Sequence, residues 1–218
     1  MKRAFDIAAA AVLLLAASPL LLALALLVKV TSPGPAFFGH GRIGREGKPF
    51  RCWKFRTMVA DAEAWLERHP ELRRKHRANG FKLRAHEDPR ITSPGRLLRY
   101  THLDELPQLV NVLKGDMSMV GPRPIVEEEL AWYGKHAEEL LSVRPGIFGP
   151  WTAGGKARAE YPARVDVELA YVRRHSLLGD LGILLRNVPV LLTGQVEEDE
   201  GDGALGVEGA HGHTYSSD

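Results

Sequence analysis

The longest apolar run of the chain lies near its amino terminus, where residues 7–28 form a stretch of 22 residues without a charge. At about 1.5 Å of rise per residue, a helix of this length reaches across a bilayer core of about 30 Å. The basic pair Lys2 and Arg3, followed by apolar residues and the small residues around Ala17, also fits a cleavable secretory signal. Because the apolar run continues beyond those small residues, we expect a retained membrane helix.

Pro19, preceded by Ser18, interrupts this run near its middle. A proline removes one backbone hydrogen bond and clashes with the preceding turn, so a kink is expected. Positive charge flanks both ends, with Lys2 and Arg3 before the run and Lys29 after it, so charge favours neither end as the outer one. Two topologies remain open. One is a kinked span, and the other is a re-entrant helix-break-helix whose freed carbonyl would need a partner such as the Ser18 hydroxyl.

The pattern of the remaining chain predicts a mainly α fold with few short strands. Residues 31–47, rich in Gly and Pro, are typical of a connector, and residues 50–58 of a short extended or irregular segment. Apolar periodicity and stop signals predict the further helices over 61–77 with a bend near Pro70, 96–99, 104–113 ending at Gly115, 125–141, 166–175 and 177–192.

The predicted helix over 177–192 is apolar, but Asp180, Arg186 and Pro189 interrupt it too often for a comfortable span. It is either an amphipathic helix in the membrane interface or a core helix, and the pattern leaves both open. Residues 196–218 contain seven acidic residues and no Lys or Arg, so we expect a disordered tail there. We therefore predict a membrane segment over 1–31, a cytosolic domain over 32–195 and an acidic tail over 196–218.

The net charge of +2 conceals a basic body, because the acidic tail offsets it. A basic body suits anionic partners such as phosphates or acidic membrane lipids. No zinc-finger spacing, ribonucleoprotein motif or recognition helix is present in the sequence, so no nucleic-acid partner is expected. The single cysteine, Cys52, excludes an intramolecular disulfide, and we assign it no chemistry.

Two adjacent carboxylates, Asp104 and Glu105, stand at the start of a predicted helix, and Arg123 follows about twenty residues on in a Pro-Arg-Pro turn. Pro107 fits the first helical turn because its missing N–H would be unpaired there anyway. At the positive end of a helix dipole carboxylates stay ionised, and a metal or phosphate can be held nearby. Ionised carboxylates serve as nucleophiles or metal ligands, and guanidinium groups hold phosphate oxygens. These residues therefore predict chemistry on phosphates.

Several motifs together resemble the bacterial sugar transferase family, the monotopic phosphoglycosyl transferases that start polysaccharide assembly on a polyprenol phosphate. The resemblance extends over about residues 1–195. It is carried, in the family's order and approximate spacing, by MKRAFD (1–6), SPGP with FF (32–38), RIG with GK (42–48), KFRTM (54–58), LDELPQL (103–109), MVGPRP (119–124) and RPGI (144–147).

The resemblance implies a reaction and roles for its residues. Asp104 would attack the β-phosphate of a UDP-sugar, release UMP and carry the phosphosugar. Undecaprenyl phosphate would then accept it in a ping-pong mechanism. Glu105 and Asp104 would ligate Mg2+, and Arg99 and Arg123 would bind substrate phosphates. The family location is the cytoplasmic face of the bacterial inner membrane, with Ser18 and Pro19 marking the break of a re-entrant helix.

The same resemblance suggests four residues for the nucleotide-sugar pocket: Lys54, Arg56, Arg144 and Lys156. For Lys54, Arg56 and Arg144 a purely structural role remains an alternative. For Arg99 and Arg123 the alternative is a structural salt bridge. Many family members have a Gly-Arg pair where this chain has Gly155-Lys156, and lysine lacks the planar fork of arginine. The identity of the sugar is therefore left open.

Two other functions compete with the transferase. A catalytically silent membrane scaffold would retain the fold, but it would not need Asp104, Glu105, Arg99 and Arg123 together. A soluble hydrolase of nucleotide diphosphate sugars would explain the carboxylates and Mg2+ but not the apolar amino terminus. A homodimer is compatible with an apolar surface near the membrane, which does not prove it.

Overall fold

Helices dominate the computed structural model, which describes residues 1–78, 83, 87–150 and 161–193. Within those ranges the strands form two small sheets, one antiparallel and one parallel. The predicted class, mainly α with few short strands, is confirmed. The predicted acidic tail over 196–218 and Lys156 lie outside the described residues.

The first helix, α1 (Lys2–Thr31), is long and apolar enough to cross a membrane, and only 11% of its most apolar window is buried by the rest of the protein. It continues through Pro19. Pro19 has no N–H for the carbonyl of Leu15 one turn earlier, and the Ser18 hydroxyl donates to that oxygen at 2.8 Å. The expected partner for the freed carbonyl is thus present.

The amino-terminal turn of α1 is tied to the folded domain by three charged side chains. Their partners lie in the later elements α5 (Gln108–Lys114), β3 (Ser118–Val120) and α8 (Leu177–Thr193). The bonds run from Lys2 to Val120 O (3.0 Å) and Asp180, from Arg3 to Val112 O (2.7 Å) and Leu113 O (3.1 Å), and from the Ser118 hydroxyl (2.9 Å) and Met119 N–H (3.1 Å) to Asp6.

The carboxyl-terminal part of α1 contacts the same domain elsewhere. Leu24 and Val28 are buried in a cluster with Phe55 and Leu98. The middle of the helix, including Leu15 at 78% exposure, has little protein cover. Both ends of α1 therefore rest on one folded unit while its centre faces outward.

An antiparallel hairpin follows α1, made of β1 (Phe37–Ile43) and β2 (Pro49–Phe55). β2 confirms the extended segment, whereas the prediction of a connector throughout 31–47 is wrong. Gly39 and Gly41 weaken the strand signal of β1, since glycine is depleted in strands. The pairing with β2 supplies the order that the local sequence lacks.

The remaining elements mostly follow the prediction. Helices α2 (Ala62–Glu67) and α3 (Pro70–Ala78) confirm the break at Pro70, and α4 (Ser93–Tyr100), α7 (Ala163–Arg174) and α8 agree with predicted helices. The helix predicted over 125–141 is wrong. A 3-10 segment, Glu127–His136, is interrupted at Gly134 (φ 48°) and leads into the short α6 (Ala137–Leu140).

The second sheet is a parallel pair of β3 with β4 (Gly146–Phe148), and two glycines allow its close approach to the Pro-Arg-Pro turn. A Cβ on Gly146 would lie 2.0 Å from the Gly121 nitrogen. The Gly146 N–H donates to Pro122 O at 2.8 Å, and the Gly121 N–H to Phe148 O at 3.0 Å. These bonds fix the turn that carries Arg123.

On the α8 helix two polar residues lie inward, while several leucines and Arg186 lie outward. Asp180 and Asn187 are buried, whereas Leu178 is 84% exposed and Leu185 63% exposed. Ile183 and Leu184 pack on the main core. A helix with this distribution has an uncovered apolar side.

Candidate active site

The carboxylate pair lies on a 3-10 turn, Leu103–Glu105, that precedes α5. The prediction that Asp104 and Glu105 occupy the first turn of one helix over 104–113 is therefore wrong in detail. Pro107 cannot donate to Leu103 O, and the Leu106 N–H reaches that carbonyl instead at 3.3 Å. The predicted stop is confirmed, because Gly115 ends α5 with φ 95°.

The two carboxylates differ in environment. Asp104 is buried, at 7% exposure. Glu105 accepts a hydrogen bond from the Lys54 ammonium, with 2.6 Å between Nζ and Oε1. Burial alone would raise the pKa of Glu105. The positive charge of Lys54, with smaller effects of His102 and Arg123, outweighs burial and holds that pKa below its ordinary value. Glu105 is therefore ionised at neutral pH.

Arg99 is joined to the Lys-Phe-Arg-Thr segment (54–57) through Thr57. Thr92 caps α4 by accepting the Gly95 N–H at 3.1 Å, and its own N–H donates to Thr57 O at 3.0 Å. A Cβ on Gly95 would lie 2.0 Å from that oxygen, so only glycine permits the contact. The Arg99 guanidinium donates to the Thr57 hydroxyl at 2.9 Å.

Arg123 is positioned through its backbone. Its N–H donates to the carboxylate of Glu168 at 3.2 Å, and Glu168 is fully buried and also accepts the Tyr133 hydroxyl. The charge of Arg123 acts on Glu105. The structure thus brings Asp104, Glu105, Lys54 and Arg123 into one region, with Arg99 fixed at its edge by Thr57.

Arg42, for which the sequence predicted no role, also belongs to this region. It lies on β1, and its pKa is lowered by burial first and by the charge of Arg123 second. Its alternation with His40 along the strand was the available signal. Gly39 and Gly41 conceal the strand, because glycine is depleted in strands.

The guanidinium of Arg56 donates hydrogen bonds to the segment that follows α1. It reaches Pro35 O at 2.6 Å, Pro33 O at 2.7 Å, and the hydroxyl (2.9 Å) and carbonyl (2.8 Å) of Ser32. These contacts favour the structural alternative for Arg56 over a place in the nucleotide pocket.

Arg144 lies at the opposite end of α5 from the carboxylates. Its guanidinium donates to Gly115 O at 2.7 Å, which satisfies a carbonyl at the helix end. No contact described for Arg144 brings it to Asp104 or Glu105, and its assignment to the nucleotide pocket stays a prediction.

The carboxylates of Asp104 and Glu105 suit Mg2+ only in combination with a substrate that supplies further oxygen ligands. Among the described residues, no group of three or more His, Cys, Asp or Glu could hold a metal ion. Mg2+, however, commonly uses one or two carboxylates together with substrate phosphates and water. Asp104 and Glu105 meet that smaller requirement.

The family model described as bacterial sugar transferase matches residues 1–194. The chain belongs to the bacterial sugar transferase family. The resemblance inferred from the motifs is confirmed over almost the range predicted, and with it the prediction of a transferase.

Three curated relatives illustrate the family. The undecaprenyl-phosphate galactose phosphotransferase of Salmonella typhimurium is 44% identical over 88% of this chain, but the match spans only 40% of that protein. The exopolysaccharide production protein ExoY of Rhizobium meliloti is 43% identical over 87% of this chain and 84% of its own length. The UDP-glucose:undecaprenyl-phosphate glucose-1-phosphate transferase of Caulobacter vibrioides is 40% identical, over 88% of this chain and 70% of its own.

Proposed function

We propose that the protein transfers a sugar 1-phosphate from a UDP-sugar to undecaprenyl phosphate and releases UMP. The name of the Caulobacter relative supports both substrates, and the name of the Salmonella relative supports undecaprenyl phosphate. The observation that carries the proposal is the pairing of Glu105 with Lys54 beside the buried Asp104, in a region that also contains Arg123.

The first half-reaction begins with the carboxylate of Asp104. One of its oxygens attacks the β-phosphorus of the donor, and the bond from that phosphorus to the bridging oxygen breaks. UMP leaves with the bonding electrons, and the sugar phosphate remains as an acyl phosphate on Asp104. The fixed 3-10 turn supports such an attack, because positioning is a large part of phosphoryl-transfer catalysis.

In the second half-reaction a phosphate oxygen of undecaprenyl phosphate attacks the same phosphorus. The bond to Asp104 breaks, which regenerates the carboxylate and yields the lipid diphosphate sugar. Because one product leaves before the second substrate reacts, ping-pong kinetics are expected.

The cationic side chains support both steps. Arg99 and Arg123 are suited to hold phosphate oxygens, since guanidinium groups make paired, charge-assisted hydrogen bonds. Lys54 keeps Glu105 ionised. Mg2+, held by Asp104 and Glu105 together with the diphosphate, would supply positive charge to stabilise the transition state.

The placement of α1 supports the re-entrant topology over a span. At about 1.5 Å per residue, the 30 residues of α1 extend about 45 Å. Asp6 bonds the domain near one end, and Val28 packs on it near the other. A span would place those two ends on opposite sides of the bilayer. We infer that both ends lie on the cytoplasmic face, with the centre of α1 and the leucines of α8 in the lipid.

The reaction is tested by measuring UMP release from UDP-glucose and UDP-galactose by detergent-solubilised protein with Mg2+ and undecaprenyl phosphate. Asp104→Asn should abolish release, and a brief reaction without lipid should yield at most one UMP per wild-type enzyme. Full activity of Asp104→Asn would contradict the nucleophile. If neither donor releases UMP, a wider panel of UDP-sugars is tested, and absence of release from all of them would favour the silent scaffold.

A further inference from the structure

The guanidinium of Arg42 is largely covered by protein, yet it has no hydrogen-bond acceptor among the residues that the structure describes. Its side chain is 18% exposed, and no hydrogen bond from it is found within the described residues. Its ion-pair partner there is Glu129, at 3.6 Å, which is too long for a hydrogen bond. A guanidinium carries five N–H donors. Among the described residues Arg42 has no fully buried side-chain nitrogen without a partner, so its free donors reach solvent and are open to a ligand.

The strand register places Arg42 on the face of the hairpin that reaches the carboxylates. Phe38 pairs with Lys54, and Arg42 pairs with Phe50, so all four project from the same face of the sheet. Lys54 on that face bonds Glu105 at 2.6 Å. Arg42 is therefore a neighbour of the site and not a residue of the outer surface.

A second contact brings Arg42 beside the Pro-Arg-Pro turn. The next residue, Ile43, donates its N–H to Ile125 O at 2.9 Å, two residues after Arg123. Burial and then the charge of Arg123 lower the pKa of Arg42. Two like charges are thus close together, and in the described residues neither guanidinium has a hydrogen-bond acceptor.

We propose that Arg42 binds the diphosphate of the nucleotide donor together with Arg123. This inference rests on the proposed function. An anion between the two guanidinium groups would accept hydrogen bonds from their unmatched donors and relieve their mutual repulsion. Among the described residues, the ion-pair partner of Arg42 is Glu129, at 3.6 Å. The diphosphate of a UDP-sugar is the anion that the reaction brings to this region.

The test measures binding apart from turnover. UDP and uridine are titrated into the Asp104→Asn protein and into the same protein carrying Arg42→Met, with Mg2+ present. Loss of a charged hydrogen-bond donor should weaken UDP binding roughly ten- to hundredfold and leave uridine binding unchanged. Arg42→Lys should fall in between, because it keeps the charge but loses the fork.

Arg51→Met is the matched control, since Arg51 lies on the same hairpin but on its other face, opposite Gly41. It removes the same charge and should leave UDP binding unchanged. If Arg42→Met does not fold, Arg42→Lys alone decides the test. Equal UDP affinity of the Arg42 and Arg51 variants would overturn the inference, as would an equal loss of uridine binding. UMP release by the otherwise unchanged enzyme is measured separately, so failure of the proposed function is recognised independently.

Discussion

Replacing Gly146 by alanine tests how the parallel strand pair holds the Pro-Arg-Pro turn. The added Cβ would lie 2.0 Å from the Gly121 nitrogen and 2.7 Å from its Cα. Because both atoms belong to the backbone, no side chain can rotate away, and the strands must separate. Overpacking of this kind costs about 2–3 kcal/mol. The bond from the Gly146 N–H to Pro122 O, now 2.8 Å, should weaken as well, at about 1 kcal/mol.

The sum of about 3–4 kcal/mol corresponds to a fall in melting temperature of roughly 6–16 °C for a chain of this size. Thermal unfolding of the detergent-solubilised protein, followed by tryptophan fluorescence, measures it. Well below that temperature, UMP release should still be reduced, because displacement of Pro122 moves Arg123.

Gly41→Ala is the matched control, because Gly41 also lies in a strand and a Cβ there would have no atom within 4 Å. It should change stability by less than about 1 kcal/mol. If Gly146→Ala melts within the error of the unchanged protein, the argument from close backbone approach is wrong. If both variants lose the same stability, the effect is a general one of strand glycines.

Two further predictions concern the site charge and the membrane topology. Lys54→Met removes the positive charge that offsets the effect of burial on Glu105, so the pKa of Glu105 should rise. Glu105 contributes through its ionised form, which is lost as pH falls. The acid limb of the kcat/KM profile for UMP release should therefore move to higher pH in this variant. Acid limbs that coincide for the variant and the unchanged enzyme would refute this. For topology, single cysteines replacing the exposed Ala4 or Pro33 in a Cys52→Ala background should react with an impermeant maleimide in inverted vesicles and not in spheroplasts. A kinked span would expose one of them in spheroplasts.

Features decided within a few residues could be predicted from the sequence. Pro70 divides α2 from α3, and Gly115 ends α5 in the left-handed region, both as expected. Ser18 bonds the carbonyl that Pro19 leaves open. In each case the backbone chemistry of one residue determines the local outcome.

Features decided by distant contacts could not be predicted in the same way. β1 exists because β2 pairs with it, despite its two glycines. The guanidinium of Arg56 finds its acceptors more than twenty residues earlier, in a turn whose folding no periodicity describes. Arg42 gains its place from the register of one hairpin and from the bridge between Ile43 and Ile125.

The contacts of Asp6 determine what can be removed from this protein. Asp6 accepts the Ser118 hydroxyl and the Met119 N–H, all within the buried interior. Deleting residues 1–31 to obtain a soluble enzyme would take the acceptor from the Met119 N–H, at about 1–3 kcal/mol, whereas the Ser118 hydroxyl keeps Val120 O at 2.9 Å. Met119 lies on the strand that leads into the Pro-Arg-Pro turn. The apolar helix α1 is thus also an internal support of the folded domain, and a version without it would have to replace that carboxylate.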